Sequence, residues 1–375
     1  MAADLSLGAA QMRSRDPTGI YMTIKTWLQC AALSFAILLS AGAAFGQTAW
    51  IPQSGGTLAR IDTATDTLVA GTTPIGGNAY GIVATPTRVY VASPGGTVTV
   101  INAVDGSVIA NISVPNAFGL ALSRDGSRLL VGVTGGSNSV AVINTNNNTV
   151  VGTLTGAGAP NSVEISPDGT TAYIVNQLGG TVTARTIATD ALLTTYSGFS
   201  GPRHAVLSAD GSKLYVSNSN SNTVSVLTLA GGAVVNVPVG NLPWGVAISP
   251  DGSAVYVANF LSGTVSRIVT ATNAVTTAPA GSEVIGVSTS ADGQKLYATN
   301  RSSGTVSVYN ATTLAPITTI TGLTQPQPMG QFIARAAQPQ APAPVPTLSE
   351  WAMILFGTIL AGGAALYIQR RRLTA

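Results

Sequence analysis

Apolar and polar residues alternate one by one, in short runs, through most of the chain between residues 47 and 336. The runs are rich in Val, Ile, Thr and Tyr and are separated by clusters of Gly, Pro, Asp and Asn. A period of two in β-branched residues predicts half-buried strands rather than helices. In the segment that opens at Gly245, strands are predicted over 245–249, 254–258, 264–269 and about 274–279. The first two are joined by Ser249-Pro250-Asp251-Gly252. Pro presets φ, Asp bonds its own turn and Gly takes positive φ, so this tetrapeptide predicts a tight hairpin.

The four-run unit recurs. Aligned on its opening residue, it begins at Gly81, Gly119, Ser162, His204, Gly245, Gly286 and Gly330, at intervals of 38, 43, 42, 41, 41 and 44 residues. Repeats of that length predict four-stranded propeller blades. Residues Trp50–Ile75 read as the last three strands of a unit, and Met329–Ala334 as a lone first strand. Joining them predicts a seventh blade stitched from both ends, which leaves the ring no open seam. The predicted fold is all-β: a seven-bladed β-propeller over 47–336, closed by its N- and C-terminal strands. An open β-solenoid is the alternative.

The two ends carry a different pattern. Residues 1–46 read as a leader and signal peptide with its start at Met22: Lys25 as the basic region, 27–39 as the apolar core, and Ala44-Phe45-Gly46 at the cleavage position. The single cysteine, Cys30, lies in this peptide, so the mature chain has no thiol or disulfide chemistry. Residues 337–345 form a Pro/Ala/Gln-rich linker, expected to be extended. The tail at 345–375 holds 19 uncharged residues from Trp351 to Gln369, enough to cross a bilayer, with the transmembrane helix expected at 352–368. Arg370, Arg371 and Arg372 are expected to stay cytoplasmic, leaving the propeller outside and the chain attached to the inner membrane.

The repeated words Tyr90–Asn102 (YVASPGGTVTVIN), Tyr215–Leu227 (YVSNSNSNTVSVL), Tyr256–Ser266 (YVANFLSGTVS) and Tyr297–Asn310 (YATNRSSGTVSVYN) resemble the YVTN family of β-propeller repeats. The copy at Leu129–Asn144 has lost both the Tyr and the Asn. That resemblance implies architecture and no single activity. The segment Val345, Pro346, Thr347, Leu348, Ser349, Glu350, Trp351, with the apolar run and arginines after it, resembles the IPTL-CTERM sorting signal, a relative of the PEP-CTERM class. This resemblance implies an exported protein of a Gram-negative bacterium. It would be held on the periplasmic side of the inner membrane, or released to the cell surface by a sorting protease.

The net charge lies at the two ends of the chain. Residues 47–338 hold 11 Lys and Arg against 11 Asp and Glu, so the +3 of the whole chain belongs to its ends. A neutral body without a basic stripe disfavours nucleic acid. One His excludes a zinc site of ordinary ligand count, and no metal or cofactor is expected. Asp125, Asp168, Asp210, Asp251 and Asp292 repeat at one turn position and read as architecture. Glu164 does not fit the repeat, and a pairing with Arg203 or His204 is expected for it.

Chemistry is expected where the repeat varies. The residue before each opening position is Tyr80, Phe118, Asn161, Arg203, Trp244, Ile285 or Met329. Aromatic residues and Arg are the types that dominate binding hot spots. The expected function is a binding or scaffold module at the cell envelope, holding a glycan, a peptide or a matrix polymer on that ring. The alternative is a lactonase-like hydrolase or isomerase using His204, Arg203 and Glu164 at the central channel. Its weakness is the scarcity of groups for acid–base work.

Overall fold

A computed structural model describes residues 48–135 and 138–334. Among these residues every regular element is a strand, and the strands form seven sheets. One blade consists of Pro243–Ile248, Ala254–Asn259, Thr264–Val269 and Val275–Pro279, each antiparallel to the next. Four further sheets repeat that order, and the innermost strands Gly81–Ala84, Ala117–Leu122, Pro160–Ile165, Pro202–Leu207 and Val284–Thr289 line the axis with it. The described residues form a seven-bladed β-propeller. We number the blades 1 to 6 from Gly81 onward; blade 7 is built from both ends.

Blade 7 takes Thr48–Gln53, Thr57–Asp62 and Thr67–Pro74 from the N-terminal side. Its inner strand comes from the other end. Trp50 N–H donates to Phe332 O at 2.8 Å and Gln327 N–H to Pro52 O at 2.9 Å, with bridges Ala49–Ile333 and Gln53–Pro326. The same segment is also registered on blade 1, where Met329–Gln331 runs parallel to Gly81–Ala84. Gly330 permits this double role: it holds φ at +119°, and a Cβ there would overlap the Ile82 carbonyl.

The core is a set of apolar layers between neighbouring sheets. One layer packs Leu296 and Tyr309 of blade 6 against Tyr256 and Val265 of blade 5; another joins Trp50 and Phe332 of blade 7 with Tyr297 and Val306 of blade 6. The repeated tyrosine crosses these layers. Tyr256 Oη donates to Ala311 O of the next blade at 2.8 Å, and Tyr297 Oη reaches Thr63 O at 3.2 Å. At the seam Tyr297 also donates to Asp66, which accepts a 2.7 Å ion pair from Lys295.

The other repeated words are joined in the same way. The Asn that ends each Tyr-Val-x-Asn strand spans its loop to the Thr-Val-Ser strand. Asn259 Nδ2 donates to Thr264 Oγ1 at 3.0 Å and to Ser266 Oγ at 2.9 Å, and Asn218 and Asn300 repeat the pair. In the Ser-x-Asp-Gly turns, the Ser hydroxyl donates to the Asp carboxylate, which also accepts the N–H two residues on. The Ser hydroxyl first, then those N–H groups, hold Asp210 down at about pKa 2 and lower Asp168 and Asp251 as well. These carboxylates are turn staples.

The expected signal peptide and the expected helix at 352–368 lie outside the described residues. Among the described residues no helix is long and apolar enough to cross a membrane.

Candidate binding face

The opening position is Gly in five of the seven units because neighbouring inner strands touch there. A Cβ at Gly81 would overlap the carbonyl oxygen of Phe118, the residue before the next blade's opening position. The same holds for Gly119 against Asn161 and Gly245 against Ile285, and a Cβ at Gly286 would overlap the carbonyl oxygen of Pro328, one residue before Met329. Two blades use a side chain instead. Ser162 Oγ accepts Ala205 N–H at 3.2 Å, and His204 Nδ1 accepts Val246 N–H at 3.3 Å. The collar therefore fixes the backbone of the variable residues at one mouth of the ring.

That mouth is made by two loop classes, those entering each inner strand and those between the second and third strands. In successive blades a variable residue touches the residue just after the repeated Asn. Asn161 Nδ2 donates to Gln177 Oε1 at 2.7 Å, and Arg203 Nε reaches Ser219 Oγ at 3.4 Å. Trp244 stacks on Phe260 with centroids 4.6 Å apart and planes at 16°. In blade 6, Arg301 pairs with Glu283 at 3.3 Å. This second set, Gln177, Ser219, Phe260 and Arg301, escaped the sequence reading. The signal was present: the residue following the repeated Asn also changes from copy to copy.

The expected ring is thus brought together only in part. Tyr80 and Phe118 stack on each other at 5.3 Å. The Arg203 guanidinium lies over the Trp244 ring at 4.6 Å, making a continuous Arg203–Trp244–Phe260 group across blades 4 and 5. Asn161 is buried, and Ile285 and Met329 are sealed inside the collar. The indole nitrogen of Trp244 is buried without a hydrogen-bond partner among the described residues. Burial lowers the pKa of Arg203. Arg185 pairs with Asp190, Lys295 with Asp66 and Arg301 with Glu283, whereas Arg203 is in none of these ion pairs.

Below this mouth lies the channel, a cavity of about 160 Å³. Glu164, His204, Ser288 and Gln331 face it among Leu120, Leu122, Ile165, Val206, Leu207 and Val246. Glu164 and His204 therefore share one cavity, while Arg203 turns away to Trp244 and Ser219. Burial pushes the His204 pKa down to about 4. A ring that accepts an N–H at Nδ1 is neutral, with its proton on Nε2. Among the described residues no three His, Cys, Asp or Glu side chains converge on a common point.

Comparison with known proteins addresses the tail and the fold. The model of the IPTL-CTERM motif matches residues 343–372. The chain carries an IPTL-CTERM motif. This IPTL-CTERM tail is consistent with a protein that is exported and sorted to the cell surface. No curated protein matches the sequence. Among solved structures, hydrazine synthase of Kuenenia stuttgartiensis is similar at 23% identity and TM-score 0.65, over 72% of this chain and 93% of that one. A functionally unknown protein from Desulfotomaculum acetoxidans is similar at 16% identity and TM-score 0.66, over 77% and 99%. A candidate 6-phosphogluconolactonase from Bacteroides uniformis matches at 16% and 0.62, over 74% and 97%. At these identities the likeness is one of fold.

Proposed function

We propose that this chain is a binding module displayed at the cell envelope, of the YVTN-repeat type, with its ligand on the mouth lined by Arg203, Trp244 and Phe260. The observation that carries the reading is the direction of the chain. The inner strand Met329–Gln331 runs from the mouth toward the Ser-Pro-Asp-Gly turns, and Thr48–Gln53 starts from that side. Both connections to the rest of the chain therefore leave on the face opposite the Arg203–Trp244–Phe260 group. The variable face is thereby left clear of both connections. In this reading the signal peptide in residues 1–46 exports the propeller and the apolar run 352–368 anchors it in the inner membrane. A sorting protease acting at the motif would release it toward the surface.

The hydrolase reading places Glu164 and His204 in the channel. Against it, Nδ1 of His204 is occupied by Val246 N–H and Nε2 carries the proton, so this imidazole offers no lone pair to act as a base. A panel of short peptides, oligosaccharides and lactones, tested on the full chain in detergent, separates the two. The binding reading expects saturable binding without turnover, lost in Trp244→Ala. Turnover of a lactone that disappears in Glu164→Gln would replace it with the enzyme.

A further inference from the structure

We infer that the mouth over blades 3 to 5 receives a polypeptide segment that presents a carboxylate between apolar side chains. This rests on the binding-module reading above and narrows it to one ligand class.

Charge comes first. Arg203 is half-buried, and its contacts among the described residues are the Trp244 ring at 4.6 Å and Ser219 Oγ at 3.4 Å. Arg301, on the same mouth, has Glu283, and Lys295 and Arg185 each have an Asp. Arg203 is a partly desolvated cation that the described fold leaves without an anion. Its planar fork is pre-organised by the indole and suits a carboxylate held by two parallel N–H groups.

The same mouth carries exposed apolar side chains. The loops between second and third strands in blades 3 and 5 carry Leu178 and Leu261, which are 81% and 69% exposed and straddle blade 4. Most other exposed large apolar side chains, such as Val151, Leu193 and Val235, lie on outermost strands. A cation on an aromatic pair, with an exposed leucine on the same mouth in each neighbouring blade, matches the anchor-and-rim composition of protein–protein sites. A sugar would need an open aromatic face. Here Trp244 is already in contact with both Arg203 and Phe260, and Tyr80 with Phe118.

The test selects phage-displayed random dodecapeptides on the full chain in detergent, with tetragalacturonate as a carbohydrate arm. We expect selected peptides to carry Asp or Glu beside Leu, Ile, Val or Phe. A synthetic copy should lose roughly tenfold in affinity with Arg203→Gln, the scale of a hydrogen bond to a charged group. It should also lose severalfold with Leu261→Ser, a change at an exposed position that leaves the fold intact. Weakening by added salt should vanish in Arg203→Gln. Peptides without acids, or indifferent to both substitutions, overturn the inference. Binding of tetragalacturonate and of no peptide overturns it while leaving the binding module standing. Binding of neither class brings down both.

Discussion

The single histidine gives a clean test of how the collar is built. Burial holds His204 near pKa 4 in the folded chain, against 6.5 for a free imidazole. Between those values the unfolded chain binds a proton that the folded chain refuses. The stability held by the neutral ring is complete above about pH 6.5 and drains away as pH falls toward 4. Integrating that gap predicts a loss of about 2 kcal/mol between pH 7 and pH 5, and about 3 kcal/mol by pH 4. There is no second His to blur the window, and the turn aspartates with lowered pKa values add their losses mostly below pH 5. The assay is urea denaturation at fixed ionic strength, comparing pH 7 with pH 5. The control is His204→Ser, because Ser162 already accepts the next blade's N–H in the equivalent place. Wild type should lose the stated amount and His204→Ser almost none. Equal losses in the two proteins would refute the buried neutral ring.

Three substitutions probe the rest of the scaffold. Gly81→Ala should prevent folding, since its Cβ overlaps the Phe118 carbonyl; soluble yield and circular dichroism read the outcome, and a normal spectrum would contradict the collar. Tyr297→Phe removes the hydroxyl bonded to Thr63 O and Asp66 at the seam and should cost about 1–2 kcal/mol in urea titration, whereas Tyr80→Phe should cost almost nothing. Asp251→Ala frees the Ser249 hydroxyl and Ser253 N–H of one turn and should cost about 1 kcal/mol, without altering ligand binding on the opposite mouth.

The architecture was legible because the same physical constraint repeats. Each Ser-Pro-Asp-Gly, each Tyr-Val-x-Asn and each opening Gly answers one local demand: a tight turn, a loop-spanning amide, a backbone approach. Seven blades and the two-ended seam follow from counting those answers. The parallel registration of Met329–Gln331 on blade 1 did not, because it depends on the φ of Gly330 and on the neighbouring strand. The mouth was half legible. The residue before each opening Gly announces itself by varying. Its partner after the repeated Asn lies some 16 residues away in the chain, as Arg203 and Ser219 do, and only the folded blade shows that the two touch. The turn of Arg203 toward Trp244, away from the channel it was expected to share with Glu164, is also a contact between blades that spacing does not encode.

The proposed ligand sits on the variable mouth, beside Leu261. The chain has one cysteine, Cys30, so single cysteines placed after its replacement report one site each. Leu261 on the mouth and Val104 on the turn face are equally exposed at 69%. The decisive measurement is the rate at which a membrane-impermeant maleimide labels Leu261→Cys and Val104→Cys on intact cells, each relative to the purified chain. Residue 261 should be slowed severalfold by its bound partner, and Arg203→Gln should restore its rate. A site at 261 that labels on cells as fast as in the purified chain, with or without Arg203, would contradict it.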